Sequence, residues 1–194
     1  MSETEEPELE ITYSKQPLQF DSAKDCATVD NVLLVDRVTT ENFAQYANPN
    51  TFVIGYEYEN TIDEIMEVLT PRFTKIKRVA LVQHYSPNPR FLSEQHLFGS
   101  ESRNALVKII QTFQVDNLDF LACRTLTDPL WVKLYDYLES KTSAVVGASI
   151  DNTGNLKYGG NWVMENTNQN IKAIYFNSTI GEYASLLDSK TITY

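Results

Sequence analysis

Along the chain, short runs that are apolar at almost every position alternate with longer stretches in which apolar residues return every three or four positions. The runs are Val32-Leu33-Leu34-Val35, Phe52-Val53-Ile54, Val79-Ala80-Leu81-Val82, Leu118-Asp119-Phe120-Leu121 and Ala144-Val145-Val146-Gly147-Ala148. A strand covered on both faces reads this way, because neither set of alternating side chains meets water. Between the runs lie three helical stripes: Ile62, Ile65, Met66, Leu69; Leu106, Ile109, Ile110, Phe113; and Trp131, Leu134, Tyr135, Leu138. Each fits the spacing of one helix face. Thr61 with Glu64 has capping-box spacing, and Asp128 before Pro129 reads as an N-cap followed by a first-turn proline. Thr39 to Ala47 carries a weaker fourth pattern. Strand and helix in alternation call for a mostly parallel sheet with right-handed crossovers, a doubly wound α/β domain with helices on both faces.

Two inserts interrupt the rhythm, residues 87–100 with Pro87 and Pro89, and residues 151–166, rich in Asn and Gly. Both are expected to leave the sheet as hairpins at a strand's carboxyl end. After them, 171–176 is expected to add an edge strand, and Ile180 to Leu187 a short closing helix. Residues 1–28 lack periodicity and are expected to form an acidic, flexible arm, with the α/β domain spanning 29–194.

Composition narrows the partners. The 194 residues carry 16 basic against 26 acidic side chains, a net charge of −10, and five of the acids fall in the first ten residues. Half of the excess is therefore the arm. The densest basic stretch is Lys75, Lys77 and Arg78, which offers no footprint for a phosphate backbone or an anionic membrane. Neither nucleic acid nor membrane is expected as a partner. With no apolar run of spanning length and no basic-then-apolar leader at the amino end, the chain is expected to be soluble, and intracellular or packaged in an assembly. Cys26 and Cys123 do not make a disulfide scaffold, and no pair of Cys or His has zinc spacing, so neither a metal nor another cofactor is expected.

In open α/β sheets, reactive groups collect beyond the carboxyl ends of the strands. His84 ends the third strand and Cys123 the fourth, and parallel neighbours would set the two side by side. A thiol beside an imidazole is a common route to a nucleophile at neutral pH. The residues alone leave a plainer reading open, in which Cys123 is a small buried hydrophobe and His84 a hydrogen-bonded rim residue. No nucleophile elbow, phosphate loop or dinucleotide fingerprint is present.

The stretch Ala148-Ser149-Ile150-Asp151-Asn152-Thr153-Gly154-Asn155, followed by Gly159-Gly160-Asn161-Trp162-Val163-Met164-Glu165, resembles a caspase-like domain of unknown function found near the amino ends of large bacterial surface adhesins. That family is similar in the order of its parts, over about residues 29–187. Ala122-Cys123-Arg124 also matches three of the five positions of the caspase signature, and His84 precedes Cys123 by 39 residues, against roughly 50 in caspases. The resemblance implies a caspase-like three-layer sandwich. It further implies Cys123 as nucleophile, His84 as general base and acid, and the backbone N–H groups of Tyr85 and Cys123 as oxyanion donors. Asp151 and Ser149 are the candidate substrate-pocket residues. The chain departs from the family at Tyr85, where glycine follows the histidine, and at Ala122 and Arg124, where the family places Gly and Asn.

Two functions follow. One is a Cys-His cysteine peptidase, self-processing included, acting on a peptide or protein, with Asp151 favouring a basic residue before the cut. The other is a catalytically idle caspase-like module that docks protein partners in a virion or surface layer. A buried thiol, or a Tyr85 ring filling the cleft, would favour the second. A homodimer contact is expected along the edge strand 171–176.

Overall fold

A computed structural model describes residues 15–189. The apolar runs form five strands: β1 (Asn31–Asp36), β2 (Thr51–Tyr56), β3 (Arg78–Val82), β4 (Asn117–Leu121) and β5 (Val145–Gly147). All pair in parallel, in the order β2-β1-β3-β4-β5. Their continuous hydrophobicity has its cause in two cores. Val32, Leu34, Phe52, Ile54, Val79, Leu81, Leu118, Phe120 and Val146 point to one face, while Leu33, Val35, Ala80, Val82, Leu121 and Cys123 point to the other.

The first face is covered by α1 (Ile62–Leu69), α2 (Ser100–Phe113) and α3 (Pro129–Lys141), which bury the three apolar stripes. Their starts are set by sequence. The Thr61 hydroxyl accepts from Glu64 N–H, and the Asp128 carboxylate accepts from Leu130 N–H just after Pro129 takes the first helical position. The second face is covered by shorter pieces. They are a 3-10 turn at Phe43–Tyr46, a hairpin of β6 (Val163–Met164) and β7 (Gln169–Asn170), a helical turn at Lys172–Tyr175, and a 3-10 turn at Ser178–Glu182. Phe43, Tyr46, Trp162, Tyr175, Phe176 and Tyr183 make that layer largely aromatic. A parallel sheet between two helical layers is a three-layer α/β sandwich.

Four expectations change. The stretch 171–176 is not an edge strand: Ile171 and Tyr175 are fully buried against the second face, and the backbone coils between them. A dimer contact through such a strand loses its strand. The closing helix ends at Glu182, and residues 183–189 run on outside any helix along the sheet's carboxyl edge. Insert 87–100 is a loop pinched by an Arg90–His96 bridge around a 3-10 turn, and insert 151–166 crosses itself at Thr153–Asn161 before entering β6, so neither is a regular hairpin. Of the arm expected over 1–28, residues 1–14 lie outside the described residues. Residues 15–28 reach the sheet, with Gln19 and Gly55 exchanging two backbone hydrogen bonds at 2.9 and 2.8 Å.

Candidate functional site

β3 and β4 pair with Val82 opposite Leu121, and Gln83 N–H still reaches Leu121 O at 3.3 Å. Carried two residues further, that register sets His84 beside Cys123. Val82, Leu121 and Cys123 share the second face, so the period of a strand turns His84 the same way. Both side chains are buried, Cys123 fully.

The space between the two strand ends is taken by the chain's own segment 185–188. Leu187 O accepts two backbone hydrogen bonds at once, from Tyr85 N–H at 2.9 Å and from Cys123 N–H at 3.0 Å. One residue on, Asp188 O lies 2.5 Å from His84 Nδ1. A carbonyl only accepts, so in this contact Nδ1 carries the proton. On the other side Leu187 N–H donates to Thr153 O at 2.8 Å, Asn155 N–H donates to Ser185 O at 3.2 Å, and Gly154 bridges Leu186 in antiparallel fashion. The segment thus lies across the rim, bridged to Gly154 at Leu186 and bent at Ser185 and Leu187. The Leu187 side chain is fully buried in the aromatic cluster with Trp162, Met164 and Tyr183.

The thiol is held by the same turn. Cys123 Sγ accepts from Thr153 N–H at 3.2 Å and donates to Thr153 O at 3.5 Å. Burial pushes the thiol up from 9.0 to about 11, against a small lowering by the Thr153 hydrogen bond. Arg124 follows with a left-handed backbone (φ 54°), its N–H on Asp151 O at 2.8 Å and its guanidinium on the Asp188 carboxylate at 2.6 Å. That bond lowers the Asp188 carboxyl below the usual range, with burial opposing it.

Tyr85 does not fill the cleft. Its ring leans on Trp131, with centroids 6.3 Å apart, and its hydroxyl donates to Asp128 at 2.8 Å. Its φ is not positive, so the backbone N–H reaches Leu187 O without a glycine. His84 also lines a cleft of about 570 Å³, together with Asp36, Tyr58, Tyr85, Arg90 and Ser189 among others.

The two candidate pocket residues sit elsewhere than expected. Ser149 is fully buried, donating to Val163 O at 3.1 Å and lying 2.9 Å from Thr153 Oγ1, so it braces the Thr153 turn and lines no pocket. Asp151 is exposed and accepts from Asn161 at 3.0 Å. Its carboxyl neighbours Glu165, whose own carboxyl is pushed up to about 7 by burial first and by Asp151 second. The residue seated in the apolar cluster of this rim is Leu187, and the exposed Asp151 lies outside that cluster.

Sequence reasoning missed Thr153, Leu187 and Asp188. Thr153 stood inside the Asp-Asn-Thr-Gly-Asn stretch, read there as turn chemistry. The closing segment has no motif to mark it.

Among the described residues no group of three or more His, Cys, Asp and Glu could hold a metal ion, both cysteines are free thiols, and no helix is long and apolar enough to cross a membrane. No curated protein and no solved structure matches the chain. Residues 32–187 match the family described as Domain of unknown function (DUF4347), and with four-fifths of its length inside that match, the chain belongs to this family.

Proposed function

We propose that this domain is a caspase-like cysteine peptidase, with Cys123 as nucleophile and His84 as general base and then acid. The observation that carries the reading is the convergence of two backbone N–H groups, Tyr85 and Cys123, on a single carbonyl oxygen at 2.9 and 3.0 Å. An oxyanion formed at that oxygen would gain from both donors as its charge grows, which is what acyl transfer requires of its surroundings. The imidazole stands one residue beyond, with Nδ1 on Asp188 O, and would carry the proton in both steps. The leucine in the apolar pocket points to peptides with an aliphatic side chain before the cut.

A second reading, the idle docking module, is favoured by a different observation: the thiol is fully buried and stands at about 11, far from a ready nucleophile. The two part in one measurement. In a Leu187→Asp background a carboxylate refuses the apolar pocket and the closing segment leaves the rim. There a peptidyl acyloxymethyl ketone ending in leucine should label Cys123, and His84→Ala should slow that labelling by about 10²-fold or more. Equal rates with and without the imidazole would leave the module as the answer.

A further inference from the structure

The occupant of the rim is the chain itself, and its placement is that of a substrate. Five hydrogen bonds fix the register. Ser185 O and Leu187 N–H pair with Asn155 N–H and Thr153 O, Leu187 O takes both donors of the strand ends, and Asp188 O meets His84. Gly154 supplies the room: at φ +142° it brings its backbone so close that a Cβ there would stand 2.7 Å from Ser185 O and 2.8 Å from Leu186 Cα. The glycine-bearing turn and the closing segment are therefore shaped to each other. Arg124 then holds the Asp188 carboxylate, while the Cys123 N–H holds the Leu187 carbonyl, so both sides of the Leu187–Asp188 peptide bond are tied to the end of β4.

We infer that residues 185–188 are the domain's own substrate and that Leu187–Asp188 is the bond it cuts. The inference rests on the peptidase reading above and adds the substrate to it. In the step, His84 takes the thiol proton and Cys123 Sγ bonds to the Leu187 carbonyl carbon, while the negative charge on Leu187 O is held by the Tyr85 and Cys123 N–H groups. The bond from that carbon to Asp188 N breaks, and the Asp188 amine leaves with the proton from His84. Water then hydrolyses the Leu187 thioester, with His84 accepting the water's proton and returning it to sulfur. The products are a chain ending in a Leu187 carboxylate and a peptide beginning at Asp188. Because the seated segment also buries the thiol, the reaction should be slow and each chain should cut once, in cis.

The test is intact mass spectrometry of the 194-residue chain, held reduced at neutral pH, beside Cys123→Ala and Cys123→Ser. The expected result is loss of the seven residues 188–194 from the wild type, at a rate independent of protein concentration, with both cysteine variants left whole. Two variants guard against a failure to fold, which circular dichroism reads directly. A wild-type chain that stays whole, while Cys123 in the Leu187→Asp variant still takes the leucyl ketone with His84 dependence, overturns the self-substrate and spares the peptidase. Cysteine-dependent cleavage at any other bond overturns the assigned position. A whole chain whose thiol also ignores the ketone overturns both.

Discussion

Two ion pairs stand toward opposite ends of β4, and they are closed by different kinds of partner. Toward the amino end, Arg78 of β3 meets Asp119 of β4 at 2.9 Å with side chains 8% and 1% exposed. Tyr175 donates to the same carboxylate oxygen at 2.5 Å, and Gln169 accepts from Arg78 at 2.9 Å. Beyond the carboxyl end, Arg124 meets Asp188 at 2.6 Å with side chains 40% and 38% exposed. Around it Cys123 and His84 find their partners mostly in main-chain atoms of Thr153, Leu187 and Asp188. Side chains rooted in the core close the first cluster, and nothing can take their place. The second is closed by backbone carbonyls and N–H groups of a segment near the end of the chain, and any extended peptide offers those same groups. A buried polar cluster of the first kind serves the fold, and one of the second kind can exchange its occupant.

The sharpest way to break that contrast is Asp119→Ala. It leaves the Arg78 guanidinium buried and uncompensated, and removing one partner of a buried pair costs about 3–5 kcal/mol. Urea unfolding followed by circular dichroism should show that loss, while leucyl-ketone labelling of whatever folds is unchanged. A loss below about 1 kcal/mol would mean that the Arg78–Asp119 pair is no more structural than the rim.

At the other end, Leu187→Asp should act on reactivity ahead of fold. With the segment displaced, burial no longer holds the thiol at about 11, and a return toward the ordinary 9.0 raises the thiolate fraction near pH 7.5 about 100-fold. Iodoacetamide labelling of Cys123, separated from Cys26 by peptide mapping, reads this directly. An unchanged rate would place the burial in the sheet and the Thr153 turn, and the rim would then be as closed as the amino-end cluster.

The two clusters were not equally legible. All five strands and the three long helices follow from hydrophobic period and caps, because burial on one or two faces imposes that period. His84 and Cys123 could be set side by side because consecutive strands joined by a right-handed crossover are neighbours. Asp119 was hidden by the apolar run around it, since a lone carboxylate in such a run carries no sign of the Arg78 and Tyr175 that neutralise it. Leu187 was read as the end of a helix because Ile180, Tyr183 and Leu187 have helical spacing. Its true neighbours, Tyr85, Cys123 and Thr153, lie 34 to 102 residues away in sequence, where no local pattern reports them. The second-face layer was obscure for the same reason: its pieces are too short to show a period.

Glu165 offers a milder probe of how firmly the rim is built. Its carboxyl is raised from 4.5 to about 7 beside Asp151, so the folded chain holds a proton there that the unfolded chain has released. Stability therefore falls as pH rises from about 4.5 to about 7. Glu165→Gln should flatten that slope, a difference on the order of 1 kcal/mol. Parallel unfolding profiles for the two proteins would remove the carboxyl pair from any account of the rim.

The smallest effect is expected at the rim's own ion pair. Arg124 holds the Asp188 carboxyl below its ordinary 3.8, so the unfolded chain takes up the proton first as pH falls. The stabilisation is complete above the unfolded value and disappears as pH drops through the folded one. Both side chains are well over a third exposed, which screens the pair to within about 1 kcal/mol. Asp188→Asn should thus cost under about 1 kcal/mol at pH 7, with wild type and variant converging as pH falls through the lowered folded value. It keeps Leu187 O and Asp188 O where Tyr85, Cys123 and His84 meet them, so a loss as large as that of Asp119→Ala would show that side chains, and not the backbone, hold the segment in place.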